Sequence, residues 1–208
     1  MMDEAPEAIA AVALNCTLKP GSQESSTDRM LRLIVDELAR HDVTTTSFRV
    51  VDEDVRFGVR SDEGDGDGWP RLLEEVMAAR ILIVGTPIWL GHPASPCQLV
   101  MERLDALITE ESADGRPVLW DKVAVVAVVG NEDGAHHVTA EVFQGLNDCG
   151  FTIPAGGAVY WVGEAMGSVE FKDLDAVPDA VRTTAARLAS NAAHLAAALR
   201  RSPYELTS

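Results

Sequence analysis

The chain has 208 residues, of which 47% are hydrophobic and 24% charged, which suits one globular domain with a sizeable core. Its formal net charge of -16 argues against nucleic acid, where Lys and Arg contacts to phosphate dominate affinity, and against anionic membrane surfaces. No apolar run approaches the roughly 18–20 residues of a membrane helix. The acidic opening MMDEAPEA lacks the basic start of a signal peptide. Cys16, Cys97 and Cys149 are spread along the sequence without a CxxC, so no zinc ribbon, iron–sulfur cluster, disulfide framework or other metal site is expected. These features predict a reduced cytoplasmic protein.

Ile9 to Leu14 is the first apolar run and reads as a strand. The loop that follows, Asn15 to Thr27, is rich in hydroxyls, carries Lys19 and leads into a helix with Met30 or Leu31, Ile34 and Leu38 on one face. Ser25, Ser26 or Thr27 can cap that helix. Hydroxyls before free helix N–H groups make an anion site, and the same features also describe a capped loop with no ligand. Neither GxxxxGK[ST] nor GxGxxG is present.

Val43 to Val51 alternates with β-branched residues and predicts the second strand. Asp52 to Gly68 is a long acidic loop. Glu63, Asp65, Asp67, Gly68 and Glu74 match calcium-loop spacing at several positions, but the first ligand would be Glu, Pro70 falls at an extended position, and no helix precedes it. The loop is read as solvated, with Asp67 or Gly68 capping a helix over Pro70–Ala79.

Ile81 to Val84 is an unbroken apolar run, as in a strand buried on both faces. The following Gly85-Thr86-Pro87-Ile88-Trp89-Leu90-Gly91-His92-Pro93, with two glycines and two prolines, is expected to end regular structure and form an apolar loop. From Ala94 the pattern is helical, with Cys97, Val100 or Met101, Leu104 and Leu107 on one stripe. Glu110 to Leu119 is a polar connector.

Val123 to Val129 is the most β-like run and predicts a central strand. It ends in Gly130-Asn131-Glu132-Asp133-Gly134-Ala135-His136-His137, before a helix with Val138, Val142, Leu146 and Cys149 aligned. Ala158 to Val162 forms the last strand region with Phe151–Pro154, Gly163 to Asp175 is irregular, and a final helix covers about Val177–Arg201.

Strict alternation of strand and helix means a parallel sheet with helices on both faces. A five-stranded α/β sandwich of three layers and order 2-1-3-4-5 fits this length. Loops Thr17–Thr27, Thr86–Gly91 and Gly130–His137 then meet at the carboxyl edge of the sheet, where open α/β folds bind ligands.

These loops resemble those of the flavodoxin-like NAD(P)H-dependent FMN reductases. GTPIWLGHPASPCQLVMERLD is similar to the family's T-P-[IV]-[YW]-x-G-x-x-[SP]-x-x-[LM]-K-x-[FM]-x-D-R stretch, departing from it at Val100 and in the inverted Arg103-Leu104-Asp105. NCTLKPGSQESSTDRML resembles the family's GSPRxxGNT loop in a longer form. The resemblance implies a single flavodoxin-like domain over residues 1–208 with bound FMN. Thr17, Lys19, Ser25, Ser26 and Thr27 fall on the phosphate-contacting positions. Pro87, Ile88, Trp89, Leu90 and Gly91 would then face the isoalloxazine and Asn131, Glu132, Asp133 and Gly134 border it; Trp89 could instead be ordinary packing, and His137, with His136 in the first turn of the next helix, either touches the flavin or lies on the surface. NAD(P)H as electron donor, a quinone, flavin or other small molecule as acceptor, and a homodimer or homotetramer also follow from the resemblance alone. Glu132 and Asp133 serve equally as helix-start acids, and Tyr160 and Trp161 either pack the last strand or reach a neighbouring subunit's flavin. A flavodoxin-type electron carrier is the competing reading. No protein nucleophile or catalytic acid is assigned.

Overall fold

A computed structural model describes residues 8–206; the acidic opening up to Glu7 lies outside the described residues. The strands are β1 (Ile9–Asn15), β2 (Val43–Arg49), β3 (Ile81–Trp89), β4 (His92–Pro93), β5 (Val123–Gly130) and β6 (Ala158–Val162). The α-helices are α1 (Ser26–Ala39), α2 (Trp69–Ala78), α3 (Ser95–Asp105), α4 (Ala135–Asp148) and α5 (Asp179–Arg201). The main sheet is parallel in the order β2-β1-β3-β5-β6. The two-residue β4 pairs antiparallel with β3, and without it the order is the 2-1-3-4-5 expected from the alternation.

Side-chain alternation sends each strand's apolar residues to two cores. Val12 and Leu14 of β1, Leu82 and Val84 of β3, and Val126 and Val128 of β5 pack toward α2, α3 and α4. Ala11 and Ala13, Ile81 and Ile83, and Val125 and Ala127 face α1 and α5. On that second face α5 presents Ala185, Ala189, Ala192 and Ala196 together with Leu188 and Leu199. Both faces of β3 and β5 are covered, which is why these strands read as continuous apolar runs.

Three features differ from the sequence reading, besides Phe151–Pro154, which lies outside β6 and meets the sheet only through the isolated Val123–Thr152 bridge. The second strand ends at Arg49, and Val50–Asp52 forms a short 3-10 turn. The third strand runs to Trp89 instead of stopping at Val84. Gly85 and Pro87 are tolerated inside it for separate reasons. A Cβ at Gly85 would stand 2.8 Å from Leu31 side-chain atoms, so glycine admits the close approach of α1. The Gly85 carbonyl accepts from Cys16 N–H at 2.8 Å, toward β1. Pro87, two residues on, turns its missing N–H to the same side, beyond the last β1–β3 pair at Asn15 and Gly85.

The third difference is the acidic loop, which is pinned rather than solvated throughout. Asp67 and Arg103 form an ion pair at 2.6 Å with both side chains fully buried. Arg103 also donates to the carbonyls of Arg60 (2.9 Å) and Arg56 (2.7 Å), and its guanidinium lies over Trp69. Asp67 accepts the N–H groups of Arg56, Glu63 and Trp69, so its oxygens are engaged by protein donors and Gly68 is the N-cap of α2. Burial alone would raise the Asp67 pKa; the Arg103 and backbone hydrogen bonds outweigh it and hold the carboxyl well below the ordinary carboxylate range.

Removing one member leaves the other charged and unpaired in the interior. Asp67→Ala or Arg103→Ala should therefore cost about 3–5 kcal/mol in denaturant unfolding. Because the Asp67 pKa is depressed on folding, its contribution is complete above the unfolded carboxylate pKa, near 4, and is lost as pH falls below it. Unfolding curves between about pH 5 and pH 2 should show a steeper loss of stability for the wild type than for Asp67→Asn.

Candidate functional site

A cleft of about 480 Å³ opens at the carboxyl edge of the sheet, between the ends of β1, β3, β5 and β6. This is within the range of small-molecule and cofactor sites. Its first wall is the β1–α1 loop with Thr17, Lys19, Ser25, Ser26 and Thr27. Asn15 folds that loop over β1 by accepting the Thr17 N–H at 3.1 Å, and Thr17 Oγ1 accepts the Lys19 N–H at 3.3 Å. Arg49 fastens its outer side by donating to the carbonyls of Lys19, Pro20 and Gln23. Ser25 is the N-cap of α1 and accepts the Asp28 N–H at 3.4 Å.

The donors of this wall already converge on an anion. Lys19 Nζ lies 3.1 Å from Glu170 Oε2, and Ser26 Oγ donates to the same oxygen at 3.3 Å. With the N-terminus of α1 beside them, these groups suit a negatively charged ligand group.

The second wall is the β3–β4 hairpin. Trp89 pairs with His92 across Leu90 and Gly91, whose φ values of 53° and 78° match the two positive-φ positions of a tight hairpin turn. Leu90 holds this conformation as a non-glycine residue with 89% of its surface exposed, a local strain sustained by its contacts. One of these is its N–H, which donates to Glu132 Oε1 at 3.0 Å. Thr86 closes the base of the hairpin, its Oγ1 accepting the Ala94 N–H at 3.0 Å. Pro87, Ile88, Trp89 and Leu90 line the cleft, giving it a flat apolar side.

The third wall comes from β5 and the segment after β6. Asn131 and Glu132 line the cleft. Asn131 is committed to structure: its side chain donates to the Gly167 carbonyl and its own carbonyl accepts the Met166 N–H at 2.8 Å. Arg29 of α1 holds the far end of the same segment through the carbonyls of Phe171, Lys172 and Leu174.

Gly91, Asp133, Gly134 and His137 stand outside the cleft. Gly91 is at the outer turn, where a Cβ on Gly134 would meet its backbone at 2.9 Å; the two glycines let the hairpin and the α4 entry touch. Asp133 turns back to accept the Gly134 N–H at 2.8 Å. His137 points to a surface cluster with His92 and Glu141. Tyr160 packs edge-on against His136, whereas Trp161 lines this chain's own cleft and packs on Phe171 at 5.5 Å.

Leu18, Val129, Gly130, Met166, Gly167, Glu170 and Phe171 also line the cleft and were not singled out from the sequence. One available signal was topological. Every strand of a parallel sheet delivers its following segment to the same edge, so the irregular run after Val162 had to leave beside the other three loops. Cys16 and Cys97, distant in sequence, meet behind the hairpin. Hydrogen bonding with the Cys97 thiol, then burial, raises the Cys16 thiol pKa well above its ordinary value. Both are free thiols.

Comparison with known proteins agrees with this fold. The profile described as NADPH-dependent FMN reductase matches residues 10–166. The 8-demethyl-8-aminoriboflavin-5'-phosphate synthase of Streptomyces davaonensis is 34% identical over 168 residues, covering 76% of this chain and 65% of that protein. A protein named divalent metal cation transporter MntH, from Mycobacterium bovis, is 33% identical over 163 residues, covering 76% of this chain but only 24% of its own length. The chain thus spans less than two thirds of either relative. Among solved structures, RosB with bound 8-demethyl-8-formylriboflavin-5'-phosphate superposes with a TM-score of 0.84 at 31% identity, covering 95% of this chain and 82% of the other. An NADH:FMN oxidoreductase in its apo form shares the fold, at TM-score 0.61 and 19% identity, covering 94% and 92% of the two chains. On the family profile, which spans most of the sequence from β1 to the segment closing the cleft, the chain belongs to the NADPH-dependent FMN reductase family.

Proposed function

We propose that this chain is an FMN-dependent oxidoreductase, taking electrons from NAD(P)H and passing them through bound FMN to a quinone, a flavin or another small acceptor. The observation that carries this reading is one cleft with two chemically different ends. Lys19 and Ser26 converge on a carboxylate beside the N-terminus of α1, and Pro87, Ile88, Trp89 and Trp161 form a flat apolar slot. A phosphorylated flavin has this polarity: an anion on a flexible arm and a flat tricyclic ring. The residues fit the cofactor on donor type as well as on size.

FMN, when bound, supplies the hydride and electron transfer chemistry. The protein's part is to bind, orient and tune. Lys19, Ser26 and the α1 N-terminus, with Thr17, Ser25 and Thr27 around them, hold the phosphate. Trp89 and its neighbours exclude water from one side of the ring. Glu132, fixed by the Leu90 N–H, places a negative charge at the ring's border and so disfavours a more negatively charged reduced flavin. Asp133, turned back on Gly134, does not share that role. We read the chain as a single FMN-binding domain acting in the cytoplasm as a homodimer or homotetramer. Support for the assembly is the family resemblance together with Trp89, Leu90 and Met166, which stand 53%, 89% and 92% exposed around the mouth of the cleft.

A second reading has a specific observation behind it. A relative 31% identical holds a flavin phosphate altered at its 8-position, described as an intermediate. In that reading the same cleft takes the flavin as substrate and releases a modified flavin. Mass spectrometry of the flavin recovered after aerobic incubation of FMN with the protein and an amino-acid amine donor separates the two: an unchanged FMN mass supports the oxidoreductase, a changed mass the flavin-modifying enzyme.

The purified protein, reconstituted with FMN, should show bound flavin absorbance that bleaches rapidly on anaerobic mixing with NADPH or NADH. Bound flavin that bleaches with neither donor would overturn the reductase reading and leave an electron carrier or the flavin-modifying enzyme, which the flavin mass tells apart; failure to take up FMN would overturn the flavin reading altogether. Trp89→Ala and Lys19→Ala should each weaken FMN retention by about tenfold, the expected loss for one aromatic contact or one charge-assisted contact. Glu132→Gln should raise the midpoint potential of the bound flavin by tens of millivolts, and Asp133→Asn should move it less. Equal shifts for the two variants would show that Glu132 has no special place at the ring.

A further inference from the structure

The outer face of the β3–β4 hairpin carries a cluster that the cleft does not use. His92, on the short β4, and His137 and Glu141, one turn apart on α4, bring one potential ligand atom each within 4.8 Å of one another. His92 Nδ1 lies 3.3 Å from Glu141 Oε2, and His137 Nε2 lies 3.5 Å from the same oxygen. The two imidazoles stand edge to face, at 79° with centroids 5.0 Å apart, so that each presents a nitrogen toward the shared carboxylate.

We propose that His92, His137 and Glu141 form a binding site for a divalent first-row transition metal of the zinc class. The spacing supports this directly. Ligand atoms about 2.0–2.1 Å from a tetrahedral ion stand about 3.3–3.4 Å apart, and the two shorter separations in the cluster are close to that edge length. Two imidazoles and one carboxylate are a donor set for Zn²⁺ and its neighbours, whereas Mg²⁺ and Ca²⁺ prefer oxygen ligands. All three side chains are exposed, which leaves the outer coordination positions open to water and gives an ion a direct path in.

The location gives such an ion a structural consequence. His92 follows the turn that carries Trp89, Leu90 and Gly91, and His137 lies in the first turn of α4, just after Gly134. The hairpin and the α4 entry are otherwise held here by the Leu90–Glu132 hydrogen bond and the close Gly91–Gly134 approach. A metal bridging β4 and α4 adds a third tie between two loops that flank the cleft. This assignment is independent of what the cleft binds.

The test is titration of the protein, free of flavin, with Zn²⁺, Ni²⁺ and Mg²⁺ by calorimetry. One equivalent of Zn²⁺ or Ni²⁺ should bind, with no comparable Mg²⁺ binding. His92→Ala, His137→Ala and Glu141→Gln should each weaken binding by more than about tenfold, since even outer-shell partners of metal ligands are worth about 10–100-fold. His136→Ala and His194→Ala, outside the cluster, should leave it unchanged. Zn²⁺ should also raise the melting temperature of the wild type and not that of His92→Ala. The proposal is overturned by the absence of one-to-one binding, by equal affinity for Mg²⁺, or by undiminished binding in any of the three ligand variants.

Discussion

The cleft depends on unequal strand lengths at the centre of the sheet. β1 ends at Asn15, paired with Gly85, while β3 continues to Trp89 and remains paired with β5 as far as Pro87 and Val129. Where β1 stops, the chain turns away through the Thr17–Ser25 loop into α1, on the opposite face of the sheet from α3. The overhang of β3 therefore stands beside the start of α1 with open space between them. A helix N-terminus and an apolar strand extension face one another across that space, which is why one end of the cleft is polar and the other flat and greasy.

Two buried ties keep this arrangement in register. The alanine-bearing face of α5 packs with α1 onto one side of the sheet, and Ser25 caps the start of α1. On the other side, the Asp67–Arg103 pair anchors the long acidic loop to α3, the helix entered directly from the hairpin. The cleft's remaining wall, after β6, has little regular structure and is held by polar contacts from the other walls: Lys19 and Ser26 to Glu170, Arg29 to the carbonyls of Phe171 to Leu174, and Asn131 to Gly167. An anion engaging Lys19 and Ser26, as in the proposed function, would meet the same donors that now hold Glu170 and so would couple to the position of this wall.

Much of this was legible in the amino-acid order. Hydrophobic period placed every helix of the described residues and the core of every main-sheet strand, missing the extension of β3 to Trp89 and wrongly adding Phe151–Pro154 to the last strand, and strict alternation dictated a parallel sheet whose carboxyl edge gathers the loops. Eleven of the residues singled out for the cofactor do line one cleft, because they sit at strand ends whose location follows from that topology. The errors fall where local rules meet tertiary context. Proline and glycine at 85–93 read as strand breakers, yet Pro87 lies where no neighbouring strand asks for its N–H, and Gly85 is required by Leu31. Gly91, Asp133, Gly134 and His137 belong to the right loops but turn to the outer side, a choice made by backbone conformation at Leu90, Gly91 and Gly134.

Layers, strand order and the edge at which the cleft opens follow from the amino-acid order, since burying apolar residues at periods of 2 and 3.6 admits few other solutions. Which polar groups meet there is set by the folded chain. Lys19 and Glu170 are 151 positions apart, Leu90 and Glu132 are 42, and His92 and Glu141 are 49. Nothing in local periodicity encodes such pairs. They arise because parallel strands carry distant loops to one edge, and there short-range hydrogen bonds and charges select partners that no reading along the chain can rank.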